Sequence, residues 1–186
     1  MTANPNNPYG PARPDYKRIV LFGLLGITVI VLLIIGFTFI FGDHSKEDFI
    51  TMLARQQFLS TTVDASQKRI RSGTFAKVNS DANLLLTTDT VNLTTQLQKK
   101  FGQNKLDDAT KKREADTTVA KKLDDATLLD KFDVTYRNVL LQKINAILAT
   151  APTLRDHVGG QEFKVTMNKY IDDLNTISTQ LTALNL

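Results

Sequence analysis

Residues 161–184 read QEFKVTMNKYIDDLNTISTQLTAL, and this stretch decides the fold. Phe163, Met167, Tyr170, Leu174, Ile177, Leu181 and Leu184 recur at intervals of 4-3-4-3-4-3. That spacing follows one side of an α-helix for six turns, and an apolar stripe of this kind must be buried against other helices. Before it, 49–70 repeats the pattern: Phe49, Met52, Gln56, Leu59, Val63, Ser66 and Ile70 are spaced 3-4-3-4-3-4.

Few residues break the chain beyond Gly42: Gly73, Gly102, Pro152, Gly159 and Gly160. They delimit four long segments. The first runs from Ser45, an N-cap with Asp48 in the first turn, to about Arg71. The second runs from about Thr74 to Phe101, with Phe75, Val78, Ala82, Leu85, Leu86, Leu93 and Leu97 on its apolar side. The third covers about 106–150, with a break near Ala126, and carries Leu129, Phe132, Tyr136, Val139, Leu140, Ile144 and Ile147. The fourth is the stretch quoted above. No segment alternates with period two, so the predicted class is all-α: an antiparallel, up-and-down four-helix bundle over 45–186. The stripes contain polar members, Gln56 and Ser66, with Asp89 and Asn92 beside the second. Either these hydrogen-bond inside the bundle or they line a pocket between helices, and spacing is compatible with both.

Ahead of the bundle, residues 19–41 read IVLFGLLGITVIVLLIIGFTFIF, 23 residues without a charge. A helix of that length spans roughly 35 Å, enough for a hydrocarbon core of about 30 Å. With no polar face it predicts a transmembrane helix, and it is too long for a signal-peptide core. The Pro-rich tail, 1–18, ends in Lys17 and Arg18, whereas Asp43, Lys46, Glu47 and Asp48 follow the span. The positive-inside rule puts the tail in the cytoplasm and the bundle outside it, extracellular or periplasmic. Gly23, Gly26 and Gly36 form no GxxxG pair, so the span carries no dimerisation motif.

Composition excludes several chemistries. The chain has no cysteine, which removes disulfides, thiolate nucleophiles and Cys-ligated metals. Its net charge is +4, and the basic clusters Lys111-Lys112-Arg113 and Lys121-Lys122 interleave with Asp107, Asp108, Glu114, Asp116, Asp124 and Asp125. Mixed charge of that kind is a solvated face, so no nucleic-acid partner is expected. There is no GxxxxGK[ST], GxGxxG or GxSxG motif. Only three glutamates occur, Glu47, Glu114 and Glu162, and none begins a Glu-x-x-His. The two histidines, His44 and His157, fall at the membrane boundary and in a loop. No catalytic, cofactor-binding or metal-ligating residue is therefore assigned, and no cofactor is expected. Asp172-Asp173, flanked by core positions Ile171 and Leu174, reads as exposed surface.

The stretch Leu128-Leu129-Asp130-Lys131-Phe132-Asp133-Val134-Thr135-Tyr136 resembles the Phe-Asp-x-x-Tyr signature of a bacterial exported family: ferritin-like four-helix domains of unknown function. The resemblance covers about 46–185, with looser fits at Phe49–Ser66 and Asp81–Thr90. It implies a ferritin-like bundle whose third helix opens at the signature. Members of that family usually carry a His after an Asp late in the second helix and another downstream of the Tyr. Here Thr90 follows Asp89, and Arg137–Asn145 contains no His, so no role of those histidines carries over.

The sequence thus predicts a single-pass inner- or plasma-membrane protein with a non-enzymatic structural or protein-interaction domain in the bacterial envelope. Its expected partners are the lipid bilayer and a protein. Heptads in the first and last helices leave self-association open. A ligand-sensing bundle is the alternative, favoured by a deep pocket lined by Gln56, Asp89 or Tyr136; a filled core favours the interaction module.

Overall fold

The computed structural model describes residues 45–186. The expected tail at 1–18 and the membrane span at 19–41 lie outside the described residues. No helix among the described residues is long and apolar enough to cross a membrane.

The described chain is all-helical, without a strand. We label its helices α1 (45–66), α2 (Gly73–Phe101), α3 (Asp108–Glu114), α4 (Thr117–Leu128), α5 (Phe132–Leu148), α6 (Ala151–Val158) and α7 (Gln161–Thr182). α1 stops five residues earlier than the spacing suggested, passing into a 3-10 turn at Gln67–Arg69 and an extended Ile70. Ser72 then caps α2, its hydroxyl accepting from the Phe75 amide at 3.3 Å. α2 ends on Gly102, whose φ of 67° favours glycine and whose N–H closes on the Gln98 carbonyl at 2.9 Å.

The third predicted segment is three helices. Asp107 and Asp116 interrupt it, because their short carboxylates bond the Thr110 and Thr118 amides and start α3 and α4. α4 closes in a Schellman turn: Asp130, at φ 58°, lets the Lys131 amide reach the Ala126 carbonyl at 2.8 Å. The turn carries Leu129 out to solvent, 67% exposed, contrary to its expected place in the core. Pro152 starts a short helix, α6, instead of only ending one, since the first turn has no use for the missing N–H.

The four long helices α1, α2, α5 and α7 surround one core. Side-chain pairs fix their directions. Phe49 meets Phe101 and Val63 meets Asn79, so α1 and α2 are antiparallel. Gln96 meets Glu162 and Thr166, so α2 and α7 are antiparallel. Arg137 meets Leu184, and α5 opposes α7. Phe49 packs on Phe163 and Phe75 on Tyr136, so α1 runs with α7 and α2 with α5. The order is therefore up-down-down-up, not the strict alternation expected. The reason lies in residues 102–131. This connection is long enough to travel the length of the bundle, so α5 starts at the end where α2 starts. On its way α4 lies against α5 and buries Val119, Leu123 and Ala126.

Candidate functional site

Polar side chains enter the core at two levels, and each level is a diagonal bond between a tyrosine and an amide. In the upper one, Tyr170 of α7 donates to Gln56 Oε1 of α1 at 2.8 Å. Gln56 Nε2 donates to the Leu86 carbonyl at 3.0 Å and reaches Thr90 Oγ1 at 3.5 Å, tying in α2. Gln56 is fully buried, and both ends of its amide are occupied by protein. In the lower level, Tyr136 of α5 donates to Asn79 Oδ1 of α2 at 2.5 Å. Asn79 Nδ2 donates to the Val63 carbonyl at 3.2 Å and to Gln67 Oε1. Burial raises both phenols well above the usual tyrosine range; a bond with Ser66 works the other way at Tyr136, and the charge of Asp89 adds to the rise at Tyr170. Both tyrosines therefore act as hydrogen-bond donors throughout the physiological pH range.

The stretch Phe132-Asp133-x-x-Tyr136 opens α5, and Phe132, Asp133 and Tyr136 each have a structural task. Phe132 stacks on Tyr136 with ring centroids 5.4 Å apart, and the Arg69 guanidinium sits 4.6 Å from the Phe132 ring centre. Asp133 accepts from the Arg71 amide at 3.2 Å and from the Ser72 amide at 2.8 Å, holding the α1–α2 turn. Tyr136 reaches Asn79. The motif is a knot that fastens one end of the first hairpin to α5.

Three buried side-chain atoms among the described residues stand outside this pairing, on Asp89, Arg137 and Gln180, and Asp89 is the deepest carboxylate. It is 2% exposed, and its Oδ2 has no hydrogen-bond partner. Opposite it, Asp173 of α7 comes within hydrogen-bond reach, and Lys169, one turn earlier, pairs with Asp173. The expected exposed doublet thus divides: Asp172 faces solvent and Asp173 turns into the α2–α7 seam.

Two surface clefts flank α1. One of about 380 Å³ is lined by Asp48, Met52, Arg55, Thr150, Leu154 and His157. The other, of about 440 Å³, holds Phe58, Arg113, Glu114, Asp116 and Lys143, with Arg55 between the two. Its charges are paired. Arg55 bonds Glu114 at 2.9 Å, and Lys143 bonds Asp116 at 2.6 Å. Burial opposes ionisation of Glu114, but the bonds from Arg113 and Arg55 outweigh it and hold its carboxyl below the usual range. The Lys143 bond, then the Thr118 hydroxyl, lower Asp116 further. These are hydrogen-bonded ion pairs that fasten the crossover connection to α1 and α5.

Of the three residues singled out for a common pocket, Gln56 and Asp89 lie at one level, both beside Tyr170, and Tyr136 lies at the other. Asn79 and Gln96 carry no assignment in the sequence reading, and Asp173 is expected there on the surface. A signal for Asn79 and Gln96 is present: Phe75, Asn79, Ala82, Leu86, Asp89, Leu93 and Gln96 are spaced 4-3-4-3-4-3, and all are buried. The polar members make the stripe look broken, and Val78 and Leu85, expected on the apolar side, lie at its partly buried edge. Among the described residues no group of three or more His, Cys, Asp or Glu side chains is placed to hold a metal ion. Comparison with protein-family models, with curated proteins and with solved structures gives no match.

Proposed function

We propose that this chain is a membrane-tethered, extracytoplasmic helical domain with a non-enzymatic, structural or protein-interaction role. The observation that carries the reading is the use of the bundle interior. Gln56 and Asn79 meet the needs of Tyr170 and Tyr136, leaving the two amides to hold the bundle together rather than to receive a ligand. An interior occupied in this way leaves the surface to do the work.

The surface supports that view. α3 and α4 carry most of the alternating charge, whereas on α2 no charged residue lies between Asp81 and Lys99 except the buried Asp89. On that helix Leu84 is 70% and Val91 60% exposed, one face and two turns apart. A face with few charges and exposed aliphatic side chains favours a protein contact. The charge-free run at 19–41, with Lys17 and Arg18 before it, supports an anchor with the domain outside the cytoplasm. A single crossover between α2 and α5 is the arrangement that ferritin-like bundles use, in keeping with the resemblance drawn from the Phe-Asp-x-x-Tyr stretch.

Placing a photo-reactive residue at Val91 of the full chain in intact membranes tests the reading. A discrete protein adduct is expected, lost when Leu84 is changed to Arg and absent when the same group replaces exposed Lys122. Equal labelling from both positions overturns it. The second reading, a ligand sensor, is favoured by the cleft of about 380 Å³, whose lining includes the basic Arg55 and His157 and the apolar Met52 and Leu154.

A further inference from the structure

Asp89 and Asp173 face each other across the seam between two antiparallel long helices, and neither belongs to the Tyr–amide bonds. We propose that the Asp89 carboxyl, donating its proton to Asp173, is a latch on the α2–α7 seam: with the proton bound the seam is closed, and on its loss the seam opens to water.

The charges on the two sides explain why. The ionisable groups facing Asp89 are Asp173, Lys169 and Tyr170, all on α7; α1 contributes the neutral Gln56, joined to Tyr170. With its proton bound, Asp89 is neutral and donates to Asp173, and Lys169 balances the Asp173 charge. The cluster then sums to zero inside the seam. Without that proton two carboxylates face one ammonium, and the uncompensated charge falls on Asp89, the deeper group. Its Oδ2 has no donor to meet the charge. Lys169 cannot follow, since its side chain is 53% exposed and already holds Asp173. The bond to Asp173, chiefly, raises the Lys169 pKa, so the ammonium persists while the carboxyl titrates. Water entering the seam is the remaining way to solvate Asp89.

Burial first, and then the facing Asp173 charge, push Asp89 up to about 7 against the pull of Lys169. The closed seam thus binds a proton that an open seam, with an ordinary carboxyl, gives up near 3.8. Stability of the closure is greatest below that lower value and declines as pH rises towards 7. Within this window each pH unit multiplies the opening constant about tenfold, and above it the constant levels off.

Hydrogen exchange on the full chain in detergent or nanodiscs tests this, with rates corrected for intrinsic pH dependence. Between pH 5 and pH 7 protection of α2 and α7 amides near Asp89 and Asp173 is expected to fall by about tenfold per unit, and to change little from pH 7 to 8. Asp89→Asn, whose amide donates to Asp173 as the protonated acid does, is expected to remove the dependence and keep the seam closed at pH 8. The α4–α5 contact serves as the reference. Because a variant can alter folding for other reasons, the side-chain carbon shift of Asp89 in the unaltered chain gives a second reading, expected to titrate well above the carboxylate range. Seam protection independent of pH, an Asp89→Asn chain with the original pH profile, or an Asp89 carboxyl titrating near 4 would each overturn the latch.

Discussion

Tyr170→Phe probes the interior with the least change of shape. It removes one oxygen and leaves Gln56 Oε1 fully buried without its donor. Exchanging a made bond for a buried, unmet acceptor costs about 1–3 kcal/mol. For a chain near this size each kcal/mol lowers Tm by roughly 2–4 °C, so the expected fall is roughly 2–12 °C. Gln56→Leu in the same chain removes the orphaned acceptor. The Leu86 carbonyl that loses Gln56 Nε2 keeps the Thr90 hydroxyl at 2.7 Å, so the double variant creates no new orphan. It is expected to recover much of the loss, with a coupling of about 1–2 kcal/mol in the cycle. Circular dichroism melts of wild type, both single variants and the double variant in one detergent supply the four numbers. A Tyr170→Phe cost below about 0.5 kcal/mol, with no coupling, would mean that water already serves Gln56, and the reasoning from a filled interior would fail.

Phe132→Ala removes a buried ring that stacks on Tyr136 and receives Arg69, and is expected to cost roughly 3–5 kcal/mol in denaturant unfolding. Asp133→Ala frees the Arg71 and Ser72 amides, and is expected to cost about 1–3 kcal/mol and to speed hydrogen exchange at the turn between α1 and α2 before any other site. Protease added to intact cells is expected to cut the bundle and spare the tail bearing Lys17 and Arg18; a protected bundle with an accessible tail would reverse the orientation.

Helix content and most of the core were legible because burial imposes period 3.6 wherever it occurs. All seven stripe positions of the last segment, Phe163 to Leu184, are buried. Direction was not legible. Spacing within a helix carries no information on which end of the bundle it starts from, and the 102–131 connection decides that by its length. Nor were the helix starts at Asp107 and Asp116 recognised, since a carboxylate that caps a backbone amide looks in sequence like one more charge in a mixed run. Asp172 and Asp173 looked alike for a related reason. Neighbours on a helix point about 100° apart, and only the position of α2 selects which of them is drawn inward. The Phe-Asp-x-x-Tyr stretch was visible, but its partners Asn79, Ser72 and Arg69 lie more than fifty residues away in sequence. No local pattern could pair them.

The hydroxyl protons of Tyr136 and Tyr170 report most directly on whether the bundle interior is closed. In a nuclear magnetic resonance spectrum of the folded chain at pH 5, where Asp89 keeps its proton, both are expected as separate, slowly exchanging signals. Each should show cross-relaxation to the side-chain amide it meets, Asn79 for Tyr136 and Gln56 for Tyr170. Hydroxyl protons that exchange too fast to observe, with Gln56 and Asn79 amides cross-relaxing to water, would contradict the closed interior and return the bundle core to the ligand-sensing reading.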